Sequence, residues 1–447
     1  MLKIPIKTLC LCLCFAEVSL LLLAQVLGST VLLLPCLVGF MVLMLWSAFQ
    51  NMAVPVFLFF LPFAPLLKMA PGTISFYTLA LLAVYAFYAV KGCKNVRILH
   101  LVPALILIMT TLSIKLLSGW EVTNTYILFV ISLLLVPFLA AEMDNRYDFY
   151  WLTLFFVLGI VAAALTSQML ADSSTIARYI SIVNELGIDR RTGYYNDPNF
   201  YSAHITAALG GVFVLLLNQT DRVRRGVLVG AAVVLLYCGL LSVSKSFLLV
   251  SVCLIICWFL AFMSQRGRVS TKIVMMVTLF LVALFILSSS VFTDLLDLMM
   301  SRLDNATNLS DLTTHRVDLW ENYIRTLGSD GRLLLFGNGY SDTLVDGRAA
   351  HNTLIQAVFL FGIVGCAVLT AWIVFFVRNM LGDGPRVRRL DWAQGTILFL
   401  GCLGPWMALD YLFFDEFFLI PLYLCVAIRF LTRSPDALPQ PVTAEEG

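Results

Sequence analysis

Runs of roughly 17 to 25 apolar residues recur along the whole chain, each long enough to cross a hydrocarbon layer of about 30 Å as a helix. A backbone in lipid satisfies its own hydrogen bonds only as a helix or a closed barrel, and runs of this length select the helix. Composition excludes a water-soluble alternative: 60% of the 447 residues are hydrophobic and 13% are charged, where soluble domains carry about 25% charge. The expected fold class is all-α, a polytopic integral membrane protein with about 12 to 14 transmembrane helices and a long external loop.

Fourteen spans are expected, at about 8–26, 28–48, 50–67, 74–90, 98–117, 124–141, 149–171, 200–217, 225–243, 246–263, 272–292, 352–377, 393–409 and 413–431. Few polar residues interrupt Leu9 to Leu67, so a re-entrant segment in that stretch would lower the number. The first run follows Lys3 and Lys7 and continues without a small-residue cleavage site, which reads as a retained signal anchor. Ten of the eleven cysteines fall in these spans, and Cys93 in a short loop, without metal-ligand spacing.

Basic residues orient the spans. The N-terminal residues, the loops holding Lys91, Lys94 and Arg97, then Arg146, Arg222, Arg224 and Arg225, then Arg266, Arg268 and Lys272, then Arg378 to Arg389, and finally Arg429 and Arg433, share one side. That side is expected to be cytoplasmic, with both termini on it. The expected organisation is N-terminal spans over 1–171, a first external loop at 172–199, central spans over 200–292, a large external loop at 293–351, C-terminal spans over 352–431 and a disordered tail at 432–447.

Polar and turn-forming residues concentrate in the two external segments, which makes them the place to look for chemistry. In the first, Asp189-Arg190-Arg191-Thr192-Gly193 leads to Asn196-Asp197-Pro198-Asn199, a turn that sets cations at the mouth of the next helix, with Asp197 or Asn199 near its N-cap. In the second, an amphipathic helix over 311–325 carries Arg316 and Trp320 four apart on one face, beside Asp318 and Glu321. Gly337-Asn338-Gly339-Tyr340 then forms a glycine turn, and His351-Asn352 opens the twelfth span, where Gly362 and Gly365 allow a close neighbour. Ser242-Val243-Ser244-Lys245-Ser246 forms a short external turn between two spans.

This order resembles the O-antigen ligase and O-antigen polymerase family of bacterial surface-polysaccharide enzymes: Arg-x-Gly and Asn-Asp-Pro-Asn before a span, Ser-Lys in a short turn, Arg-x-x-x-Trp in a long loop, Gly-x-Gly, and His-Asn opening a span. The match covers about residues 185–380. The resemblance implies a GT-C-like membrane glycosyltransferase in the bacterial cytoplasmic membrane. Such an enzyme takes a glycan from an undecaprenyl-diphosphate carrier on the external face and passes it to a glycan or lipid acceptor. It further implies Arg191, with Arg190 beside it, and Arg316 as diphosphate-binding and catalytic cations, and His351 as the catalytic histidine. Lys245 stands where relatives show arginine, a point charge without the bidentate fork.

Elementary chemistry agrees with those roles. Arginines aimed at a lipid diphosphate bind it and stabilise charge on the leaving group, and an imidazole can take the proton of an acceptor hydroxyl or bind phosphate as a cation. No Asp-x-Asp pair with metal-binding spacing lies in the external segments, so no metal or other cofactor is expected. Simpler readings stay open: His351 as a helix cap, Arg190 and Arg191 as lipid-headgroup anchors, and Arg316 paired with Asp318 or Glu321. His100, His204 and His315 read as structural, and Asp410, Asp415 and Glu416 as a hydrated acidic cluster.

Polymerase is the first reading, on the larger number of polymerases among divergent members of the family, and ligase the second. A transporter or flippase for the same carrier is the alternative of another class. A chain-length regulator is an optional partner. A net charge of +2 spread over separate loops gives no footing for nucleic acid.

Overall fold

In the computed structural model, the described residues are 5–70, 73–92, 96, 99, 101–119, 121–142, 148–177, 179–180, 183–185, 188–195, 197–265, 272–273, 277, 293, 297, 300, 316–341, 344–381, 390–409 and 419–432. Cys93, His100, Trp120, Asn196, His315, Asp410, Asp415, Glu416, nearly all of the eleventh expected span and the tail beyond 432 lie outside them.

The chain is an all-α polytopic membrane protein. Its first half comprises α1 (Ile6–Val26), α2 (Thr30–Phe49), α3 (Ala53–Phe60), α4 (Phe76–Gly92), α5 (Val102–Leu117), α6 (Asn124–Glu142) and α7 (Phe149–Met169). After a small hairpin of β1 (Val183–Glu185) and β2 (Ile188–Arg190) come α8 (Pro198–Asn218), α9 (Arg222–Leu240) and α10 (Lys245–Ser264). The rest holds α11 (Arg316–Ser329), α12 (Gly331–Phe336), α13 (Thr353–Leu381), α14 (Trp392–Leu403) and α15 (Leu419–Thr432). Among the described residues seven helices are long and apolar enough to cross a membrane, and five shorter apolar helices accompany them.

Helix starts follow capping chemistry. Ser29, Asp148, Asp197, Asp221, Ser244 and Asp391 each cap the helix that follows, their side-chain oxygens accepting N–H groups of the first turn. The third expected span is the one that departs most from a simple crossing. Its α-helix lasts eight residues before Pro62 and Pro65 tighten the chain into a 3₁₀ turn over Leu61–Leu66. At about 1.5 and 2.0 Å per residue the two pieces span roughly 24 Å, short of a full hydrocarbon layer. Every residue of α3 is buried, so it is an interior filler packed on α7 rather than a lipid-facing span.

At the centre stands α8, with 94% of its apolar window buried. It packs against α7, α9, α10 and α14. Gly210 and Gly401 bring α8 and α14 into backbone contact, since a methyl on Gly401 would sit 2.7 Å from the Thr206 carbonyl and 3.2 Å from the Gly210 Cα. Asn218 Nδ2 donates to Gln394 Oε1 (3.1 Å) at the far end of the same contact.

Helix α13 is broken inside its apolar run. Gly362 adopts φ 65° and ψ 180°, which interrupts the ladder. Unbroken, the carbonyls of Phe359 and Leu360 would accept from residues four further on. Instead Phe359 accepts the Asn338 N–H (2.9 Å) and Leu360 the Tyr340 N–H (3.3 Å), so the glycine turn fills the break. Gly337, at φ 73°, meets the break: a side chain there would lie 2.5 Å from the Leu360 carbonyl and the Gly362 nitrogen. Gly362 admits a close neighbour as expected, and that neighbour is the backbone of α12. Gly365 faces Leu107 of α5 and the Phe361 side chain.

Candidate functional site

Four helices, α8, α10, α11 and α13, begin close together, and the segments just before or at those starts carry every candidate residue. The hairpin ends at Arg190, which is buried and donates from Nε to the Ser242 carbonyl (3.2 Å). The next residue, Arg191, donates its backbone N–H to the Leu241 carbonyl (2.9 Å), and its side chain is half-buried. The turn at 241–244 is thus stitched to the 190–191 corner by two bonds. Ser244 Oγ then donates to Asn199 Oδ1 (2.8 Å), joining the first turns of α10 and α8. Asp197 is the N-cap of α8, accepting the Asn199 N–H (2.7 Å), as the sequence suggests.

Burial pushes the Arg190 guanidinium below the ordinary arginine value, and the nearby Asp197 carboxylate opposes that shift. Lys245, the first residue of α10, lies within electrostatic reach of both Arg190 and Arg316. Three cations from distant parts of the sequence therefore share one locality.

Arg316 opens α11 and donates from Nη1 to the Ala408 carbonyl (2.7 Å). Thr353, the first residue of α13, donates from Oγ1 to the adjoining Leu409 carbonyl (2.7 Å). The strap that supplies both acceptors follows the 3₁₀ turn Gly404–Met407, where Gly404 and Pro405 end α14. Leu409 and Trp406 pack in turn against Phe200 and Ala203 of α8. The strap is the common floor under the starts of α8, α11 and α13.

His351 is half-buried and left-handed at φ 48°. For a residue other than glycine this costs about 1–2 kcal/mol, a strain found where surroundings over-determine a functional position. Val243, in the stitched turn, is also left-handed at φ 47°. Asn352 caps α13 by accepting the N–H groups of Leu354 (3.0 Å) and Ile355 (3.2 Å), so capping is done by its neighbour and His351 stands just outside the helix. Trp320, one turn after Arg316, donates from Nε1 to the Ala350 carbonyl (2.9 Å). Beyond it Leu319, Tyr323 and Leu327 form the apolar face that seats α11 on Ala350 and Phe359. Glu321 pairs with Arg325 (2.8 Å) at the surface.

The candidates Arg190, Lys245, Arg316 and His351 are gathered by this network, and Arg191 reaches the same corner through its backbone. His204, buried in α8, packs between Tyr195 and Phe156. Among the described residues no three His, Cys, Asp or Glu side chains form a metal-holding group. The strap at 404–409 is the part that sequence reasoning missed. It contributes carbonyl groups, which carry no residue signature, and the Gly404-Pro405 breaker near the end of an expected span is the signal that could have marked it. No protein-family model matches the chain, and no curated protein matches it.

Proposed function

We propose that this chain is a membrane glycosyltransferase that transfers or polymerises an undecaprenyl-diphosphate-linked oligosaccharide, working as an O-antigen, capsule or exopolysaccharide polymerase. The observation that carries the reading is the convergence of Arg190, Lys245 and Arg316, far apart in sequence, at the junction of four helix starts, with His351 following the Ala350 that Trp320 ties to the helix of Arg316. A diphosphate carries charge of the opposite sign to all three cations, and helix N-termini add partial positive charge that also attracts an anion. A diphosphate at the head of a membrane lipid suits such a locality.

The chemistry follows from these groups. Arg316, Arg190 and Lys245, with Arg191 at the same corner, hold the diphosphate. His351 accepts the proton of an acceptor hydroxyl as that oxygen attacks the anomeric carbon. The bond from anomeric carbon to phosphate oxygen breaks, and its electron pair leaves on the diphosphate, where the cations stabilise the charge. The order of motifs resembling the O-antigen ligase and polymerase family supports the same assignment, and the loop charges support an external site with cytoplasmic termini.

A transporter of the same carrier is the second reading, and the break in α13 is the observation in its favour, since transporters bind substrate at discontinuous helices. Here the freed carbonyls are occupied by the backbone of Asn338 and Tyr340, which leaves them unavailable to a substrate and favours the enzyme.

The deciding experiment is the size profile of lipid-linked and surface glycan in cells carrying His351→Ala, Arg316→Ala or Arg191→Ala, with protein level monitored. Accumulated single carrier-linked repeats identify a polymerase, and accumulated long carrier-linked chains identify a ligase. Wild-type profiles from all three variants would overturn the enzyme reading.

A further inference from the structure

We propose that Gln356 is a positioning residue that, with Trp320, clamps the peptide groups of Ala350 and so fixes where His351 stands; its relevance to glycosyl transfer rests on the function proposed above. Ala350 is fully buried, and both of its backbone polar groups are held by side chains. Its N–H donates to Gln356 Oε1 (3.1 Å), and its carbonyl accepts from Trp320 Nε1 (2.9 Å). The two grips come from different elements: Trp320 lies on α11, one turn from Arg316, and Gln356 lies in the first turn of α13.

A residue in the left-handed region stays there only while its neighbours restrain it. On the far side of His351, Asn352 and Thr353 are fastened by the cap and by the bond to Leu409. On the near side Ala350 is held by its pair of bonds, and Arg348, two residues back, accepts the Tyr323 hydroxyl on its carbonyl (2.7 Å). Gln356 is buried at 5% exposure, and its amide spans one helical turn back to the residue before His351. Apolar packing does not call for a glutamine there, since Leu319, Tyr323 and Phe359 already fill the surrounding cluster. The arrangement also ties the histidine to the cation: Trp320 and Arg316 share a rigid helix, so Arg316 and His351 are registered through one indole.

The test uses the full chain in detergent micelles with isotope-labelled histidine. Its four histidines give four imidazole signals, and His351→Asn identifies the one that belongs to His351. Gln356→Leu removes the acceptor, and Trp320→Phe removes the donor while keeping a ring. Each is expected to move the His351 signal while the other three hold, and to lower glycan production by roughly tenfold or more, as a displaced catalytic group does. An unmoved His351 signal in folded Gln356→Leu, or equal movement of all four signals, overturns the proposal. If Gln356→Leu does not fold, Trp320→Phe is judged by the same criterion. If the signal moves as expected yet cells with these variants and with His351→Ala make wild-type glycan, the clamp stands and the glycosyl-transfer reading falls.

Discussion

Arg316 and Thr353 hydrogen-bond successive carbonyls, those of Ala408 and Leu409, each at 2.7 Å. Two helices that start in different parts of the chain are thereby fastened to adjacent peptide groups of one strap. Thr353→Val keeps the shape and deletes the hydroxyl, leaving the Leu409 carbonyl without its buried donor. The cost is about 1–3 kcal/mol, read as a lowered melting temperature in micelles, whereas Thr353→Ser retains the donor and melts near wild type. Equal melting of the two variants would mean that the strap does not depend on this bond.

Arg190 offers a second test, because its guanidinium is buried and anchored by Nε to the Ser242 carbonyl. Arg190→Lys keeps the charge and loses the planar fork. Thermal protection of the purified protein by a lipid diphosphate is expected to weaken about tenfold in affinity in this variant and further in Arg190→Ala. Undiminished protection in Arg190→Ala would remove Arg190 from the anion-binding group.

The break in α13 predicts a sharp intolerance. Alanine at Gly362 or Gly337 must adopt a positive φ and also collides with backbone, Leu335 and Phe336 in one case and Leu360 in the other. Both glycines combine positive φ with ψ near 180°, a region essentially reserved for glycine, so conformational strain alone is about 1–3 kcal/mol, and the overlap adds to it. Both variants are expected to give little folded protein by size-exclusion chromatography. Normal yield from either would show that the turn can move away from the helix.

Close approach of α8 and α14 predicts a graded series at Gly401. Alanine forces the two backbones slightly apart, and leucine prevents their contact, so folded yield should fall in that order. Replacing Asn218 with leucine removes two partly buried hydrogen bonds, to Gln394 Oε1 and to the Val214 carbonyl, at about 1 kcal/mol each, visible as a lowered melting temperature.

Much of this was readable from the chain. Apolar runs announced the membrane and most helices, because length and hydropathy are local properties. Asp197 before Pro198 marked the start of α8, and the Arg316 and Trp320 spacing marked one face of α11. Less legible was α3, whose residues are as apolar as those of any span. Only the prolines at 62 and 65 signal that the helix stops early. The convergence of Arg190, Lys245 and Arg316 is a tertiary property, set by carbonyls of Ser242 and Ala408 that any residue could supply. Nor could the sequence distinguish the parts of Arg190 and Arg191: they are neighbours in the chain, and only the fold directs one side chain to Ser242 and the other residue's N–H to Leu241.

The near-complete enclosure of α8 also bears on how the protein is made. This apolar helix is covered by protein in the finished fold, yet it leaves the ribosome long before α14, its most intimate partner and the next to last of the described α-helices. Until α14 arrives, the Gly210 face and Asn218 are exposed to acyl chains or to whatever factor escorts the nascent chain. Chains truncated before Asp391 are therefore expected to be substrates for membrane quality control, and the cation cluster at the head of α8 can become competent only after synthesis is nearly finished.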